Sequence, residues 1–190
     1  MPSLSGVHHT ARPTWKLAET VRFYRDIIGL PVFHAVSAKG WGPENHPDFI
    51  HFFFDSGNGS TIAFFYYFGE DEPEHEEPSA WHRHSTHTAW RVENEQQLLD
   101  WKERFEAHGI EVMQVRHEII DSIYVTDPNG YMVEFTLQVR ELTEYDRLDA
   151  SLTLDAAIAI EQERGTRLTE IESLWRRKAD LVKSKLAEVA

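Results

Sequence analysis

A chain of 190 residues, 41% of them hydrophobic, can bury one sizeable core, and its 11 histidines with no cysteine restrict any transition-metal site to nitrogen and oxygen ligands. That excludes thiolate zinc, iron–sulfur chemistry and disulfides. A formal net charge of −13 without clustered Lys and Arg argues against a nucleic-acid partner, and no apolar run approaches the ~20 residues of a membrane span. The opening residues Met1 to Gly6 lack the basic and apolar regions of a signal peptide, so a cytoplasmic protein that handles a small molecule is expected.

Residues 5–11 alternate as a strand and lead through Pro13 into a helix whose apolar positions Leu17, Val21, Tyr24, Ile27 and Ile28 recur at helical spacing. Gly29 ends it. Strand-like runs follow at 31–37, 48–55 and 61–67, the last two joined by the turn Ser56-Gly57-Asn58-Gly59. The same order returns after an acidic, proline-containing linker at 69–80. A strand at 86–92 precedes a helix at 95–108, with Leu98, Leu99, Trp101 and Phe105 apolar and Gly109 as its stop. Strands at 110–116, 119–126 and 131–139 complete the second copy, with Asp127-Pro128-Asn129-Gly130 as the intervening turn.

The chain therefore reads as α+β: two βαβββ modules, 5–68 and 85–139, forming one curved mixed sheet around a metal site within a domain spanning 1–139. A helical extension, 140–190, follows, with helices near 154–162 and 168–189 separated by Gly165. In the second, Leu168, Ile171, Leu174, Trp175, Leu181, Val182 and Leu186 form an apolar stripe that packs either on this chain's own sheet or on a second subunit. A homodimer or higher homo-oligomer is expected on that basis.

His9 lies 20 residues before Gly29 and His87 lies 22 before Gly109, so each copy opens with a strand histidine at nearly the same phase. Glu134 sits inside the last strand among Met132, Val133 and Phe135. From position alone that carboxylate either faces water or keeps a cation or proton as partner, because an unpaired buried charge is strongly unfavourable. Two matched imidazoles and one carboxylate would make a face with open coordination positions, the arrangement of non-heme Fe(II) enzymes that bind substrate and dioxygen side by side.

Over residues 5–138 the sequence resembles the vicinal oxygen chelate superfamily, which includes glyoxalases, bleomycin-resistance proteins and extradiol ring-cleavage dioxygenases. The resemblance is carried by His9 with Phe23-Tyr24-Arg25-Asp26 and Gly29-Leu30, by His87-Thr88-Ala89-Trp90-Arg91-Val92, and by Asp127-Pro128-Asn129-Gly130 followed by Glu134. It implies His9, rather than its neighbour His8, as a ligand beside His87 and Glu134. Val115, His117, Ile123, Tyr124, Asp127, Pro128, Gly130 and Glu134 together resemble the extradiol dioxygenase signature. The resemblance implies that His117 and Tyr124 line the substrate; read without it, they are a surface histidine and a core aromatic.

Glyoxalase-type members use a fourth ligand, an acid on the last strand of the first copy. Four residues beyond Gly59, as Glu134 is beyond Gly130, stands Ala63. Three ligands imply a dioxygenase that uses Fe(II), with Mn(II) the alternative metal, a small aromatic diol and O2 as substrates, and ring cleavage next to the diol. A lyase or isomerase of glyoxalase type and a non-catalytic resistance-type binder are the competing readings. The acid–base histidine that two-domain extradiol enzymes carry about fifteen positions before the second metal histidine has no counterpart here, since position 72 is Glu. His75, His82 and His84 are the nearby alternatives, with His75 preferred. Trp41, Phe64 and Trp90 are expected to line a flat ring, although most aromatics at alternating strand positions need only a core to explain them.

Overall fold

The computed structural model describes residues 6–40, 46–73 and 85–189, and divides into two compact units, Met1–Val139 and Arg140–Ala190. His75 and Trp41 lie outside the described residues.

In the first unit, β1 (His9–Pro13) leads into α1, whose α-helical turn Leu17–Val21 continues as the π-helical segment Arg22–Ile28. The wider turn closes where the backbone N–H groups of Gly29 and Leu30 both donate to the carbonyl of Tyr24. Gly29 takes φ 88° there, which a residue with a Cβ rarely adopts. Strands β2 (Val32–Ala38), β3 (Phe49–Gly57) and β4 (Ser60–Tyr67) complete module 1, and the sheet order is β1-β4-β3-β2. Module 2 repeats it with β5 (His87–Val92), α2 (Glu95–Ala107), β6 (Met113–Arg116), β7 (Ile120–Thr126) and β8 (Met132–Gln138), in the order β5-β8-β7-β6. Asn94 caps α2 by accepting from the Gln97 amide at 2.9 Å.

Each sheet is mixed, because the first strand of a module runs parallel to its last while the others are antiparallel. Backbone pairing thus forms two four-stranded sheets where a single one is expected from sequence; the edges β1 and β5 meet through side chains. Arg12 donates to Thr88, and the Tyr131 hydroxyl donates to the Pro13 carbonyl at 3.1 Å.

Alternation along the strands separates two faces. One packs on the helices: Phe52, Phe54, Ile62 and Phe64 from module 1 and Ile123, Val125, Val133 and Phe135 from module 2 join Phe23, Tyr24, Ile27 and Phe105 in one core. The modules are locked by a polar connection as well. Tyr24 on α1 donates to Asp127 Oδ2 at 2.9 Å, while the backbone N–H groups of Asn129 and Tyr131 donate to Asp127 Oδ1. Burial raises the Asp127 carboxyl above its usual range, with these donors pulling the other way.

The second unit is a helical hairpin of α3 (Glu144–Arg164) and α4 (Ile171–Val189), separated at Gly165. Helix α3 begins about ten residues earlier than the apolar pattern predicts, because Thr143 and Asp146 form a reciprocal capping box. Among the described residues no helix is long and apolar enough to cross a membrane.

Candidate metal and catalytic site

The face of each sheet turned away from the helices carries the chemistry, and strand register sets which residues meet there. In module 2, β8 presents Met132, Glu134 and Thr136 on this face, since Val133, Phe135 and Leu137 are taken by the core. Tyr124 lies directly opposite Glu134 on β7, and Ala89 lies beside it on β5, two residues beyond His87.

These positions create a continuous chain of polar contacts. His87 Nε2 lies 2.8 Å from Glu134 Oε2, the Tyr124 hydroxyl donates to Glu134 Oε1 at 3.0 Å, and His117 Nε2 lies 3.2 Å from the same hydroxyl. Because Tyr124 gives its only proton to the carboxylate, the contact with His117 is satisfied when His117 Nε2 carries hydrogen. Glu134 is 3% exposed, so both carboxylate oxygens are held by buried or half-buried donors rather than by water. Burial, then the charge and hydrogen bond of Glu134, push the Tyr124 phenol above its ordinary value, which keeps it a hydrogen-bond donor at neutral pH. Four residues expected at the site from sequence, His87, His117, Tyr124 and Glu134, thus converge.

His9 does not join them. It occupies the place on β1 that His87 occupies on β5: His9 pairs with Thr61, two before Ala63, and His87 pairs with Met132, two before Glu134. Its ring meets His8, whose Nδ1 is 2.8 Å from its own, and packs edge-on to His51 and Phe53. Among the described residues no three His, Asp or Glu side chains group closely enough to hold a metal ion. The donor chemistry of His87 and Glu134, an imidazole and a buried carboxylate in contact, fits two ligands of a divalent ion, and an ion there would replace the proton they share.

Phe64 and Trp90 are corrections to the sequence reading. Phe64 is 0% exposed and stacks on Phe52, and Trp90 packs on Phe135; both lie one residue out of phase with the site face and belong to the core. In their place sequence reasoning missed His51 and Phe53. Phe53 faces Ala63 as Tyr124 faces Glu134, and His51 stacks on Phe65 with ring centroids 3.6 Å apart. The signal was available in their phase, two and four residues ahead of the non-core Asp55. Burial first, then nearby His9 and His34, lower the His51 imidazole to about 4, and its Nε2 is buried without a hydrogen-bond partner.

Register also answers the question of a fourth ligand. Ala63 pairs with Ala11 in module 1 as Glu134 pairs with Ala89 in module 2, so Ala63 occupies the matching place and is fully buried. Module 1 has no acid there.

The profile of the Glyoxalase/Bleomycin resistance protein/Dioxygenase superfamily matches residues 6–135, more than half of the chain, and the protein belongs to that superfamily. Two βαβββ modules are the vicinal oxygen chelate fold. Solved structures agree at the level of fold. Trypanothione-dependent glyoxalase I of Leishmania major is 18% identical with a TM-score of 0.52, over 85% of this chain and 99% of that one. A glyoxylase/bleomycin resistance protein/dioxygenase domain from Frankia is 21% identical with a TM-score of 0.52, over 72% and 99%. Lactoylglutathione lyase of Agrobacterium tumefaciens is 23% identical with a TM-score of 0.50, over 72% and 96%. No curated protein sequence matches the chain.

Proposed function

We propose that this protein is an Fe(II)-dependent extradiol dioxygenase that opens a small ortho-dihydroxylated aromatic ring with O2. The reading is carried by the contiguous array His87, Glu134, Tyr124 and His117 on one face of module 2. The absence of an acid at Ala63 supports it over the four-ligand lyase.

His87 and Glu134 would hold the ion, with His9 the third donor of the proposal and Mn(II) the alternative metal. Bound there, the ion supplies a chelation point for two vicinal hydroxyls and an electronic path between the diol and O2. Everything else falls to the chain. Tyr124 fixes Glu134 through Oε1, so Oε2, now in contact with His87, would be the oxygen that turns to an ion. His117, whose Nε2 carries hydrogen in its contact with the Tyr124 hydroxyl, is the group in place to give that proton to a substrate oxygen and to take it back at the same nitrogen.

Anaerobic loading with Fe(II), followed by catechols and air, tests the assignment. O2 uptake with a coloured ring-fission product is the expected result. Turnover of a thiol hemiacetal with no O2 uptake would replace the dioxygenase with the lyase. His87→Ala should abolish stoichiometric iron binding while circular dichroism stays unchanged, and full iron content would remove His87 from the site.

A further inference from the structure

A helix at a protein surface normally needs one apolar stripe, and α3 has two. Leu152, Ala156 and Ile160 are buried on the side that meets α4, where Lys178 pairs with Asp149 at 2.6 Å and Arg177 contacts Glu163. At ~100° per residue, Leu154 and Ile158 point the opposite way, and they are 65% and 54% exposed. An apolar face of this kind, on a helix already packed along its other side, calls for a partner.

The charges along that face say which partner fits. Arg147, Leu154 and Glu161 recur every seven residues, with Ala150 and Ala157 between them and Ile158 widening the stripe. A cation and an anion thus stand about 10 Å on either side of Leu154. If a second α3 runs antiparallel about a two-fold axis at Leu154, Arg147 of each copy comes level with Glu161 of the other. The two alanines let the helices approach closely around the leucines. A parallel copy would set arginine against arginine. Neither charge has a strong competing partner: Arg147 contacts Glu144 only as an exposed i,i+3 pair, and Glu161 spends one oxygen, Oε1, on the Leu168 amide. One helix face over two heptads is smaller than the ~800 Å² per partner of a standard interface, which places such a dimer among micromolar associations.

We infer that the open face of α3 is a self-association surface on which a second copy of this chain docks antiparallel through its own α3, with Leu154 at the two-fold axis and Arg147 paired with Glu161 at each end. The homo-oligomer expected from the sequence acquires in this way a specific surface. The inference is independent of the ring-cleavage reading.

Sedimentation equilibrium of the full chain from about 1 to about 100 µM tests it, and a reversible monomer–dimer equilibrium is expected. Leu154→Glu should weaken association about tenfold or more, because the two-fold axis sets two carboxylates together, and its exposed position should leave helix content by circular dichroism unchanged. Arg147→Glu alone meets like charge at both ends and should also weaken the dimer. Combined with Glu161→Arg it should return to within about threefold of the wild type. Because the chain has no cysteine, Leu154→Cys supplies a single thiol, which diamide should convert to a disulfide-linked dimer faster than it does Asp155→Cys, exposed but off the stripe. A chain that stays monomeric to about 100 µM, a dimer indifferent to Leu154→Glu, a double reversal no tighter than Arg147→Glu, or equal cross-linking at the two thiol positions would each overturn the inference.

Discussion

Modules 1 and 2 hold their strands in the same register, yet they expose different chemistry on the face turned away from the helices. Module 1 carries His9, His34, His51, Phe53 and Phe65, a wall of rings around the small Ala63. Module 2 carries His87, Ser122, Tyr124 and Glu134, a hydrogen-bonded array around a buried carboxylate. A duplicated scaffold thus supplies geometry twice and acid chemistry once. The buried acid sits where donors satisfy it, and the matching place in module 1, surrounded by rings, has a methyl group instead.

The most severe way to break this contrast is Glu134→Ala. It removes the only acid of the array and leaves Tyr124 and His87 without their shared acceptor. Divalent-ion affinity should fall by at least the roughly 100-fold that loss of an outer-shell partner can cost. Calorimetric titration with Mn(II) against the wild type reads it, and unchanged affinity would mean that any ion binds elsewhere. Next in size is the converse, Ala63→Glu, which gives module 1 an acid of its own. Adding volume and charge at a fully buried site should lower stability by about 1–3 kcal/mol or more without metal. Divalent ion should restore part of that loss if the new carboxylate reaches the site; a thermal melt unaffected by Mn(II) would show that the two faces do not share an ion.

Much of this arrangement is legible in the sequence. The matched histidine positions, the two glycine stops and the turn before Glu134 define both modules, because helical and strand periods leave distinct traces. The phase of the aromatic strands is less legible. Residues 62–67 and 52–54 are nearly continuous apolar runs; only the flanking His51 and Asp55 mark the face that Phe53 shares, and nothing polar within 62–67 marks the phase of Phe64. His9 illustrates a second limit. Its place on β1 follows from the repeat, but its neighbours His51 and Phe53 come from β3, and that proximity is a product of sheet pairing. The first turns of helix α3 advertise themselves by a cap rather than by an apolar stripe, so the apolar pattern starts later than the helix does.

Tyr124→Phe sharpens the contrast on the module 2 side. Phe53 already occupies the matching place in module 1, so the substitution makes the two faces alike at that pair. Removing a hydrogen bond to a charged group is worth about 1.5–3 kcal/mol, which corresponds to roughly a ten- to hundredfold loss of turnover if Tyr124 supports the reaction. Metal content should be retained. An unchanged rate would reduce Tyr124 to packing.

The tie between the modules should respond to Asp127→Asn with a loss of about 1–3 kcal/mol. One amide oxygen cannot replace a carboxylate that accepts from Tyr24, Asn129 and Tyr131, and donors would be left facing an NH2 group. Urea unfolding measures it. A midpoint shift within error would show that Asp127 does not hold the modules together.

The smallest effect concerns the ring wall of module 1. His51 has its folded-state value lowered to about 4 by burial and by neighbouring His9 and His34, whereas an unfolded histidine titrates near 6.5. Between those values the unfolded chain takes up a proton that the folded chain refuses, so this residue makes stability fall as pH drops through roughly 6.5 to 4. Its contribution is fully present above that window. Phe in place of His51 keeps a flat ring against Phe65 and removes the titration, so the variant's urea midpoint should decline less steeply than the wild type's between pH 7 and 4.5. Parallel slopes would show that the imidazole gains its proton as readily in the fold as out of it, and would take from module 1 the neutral character that sets it apart from the acid array of module 2.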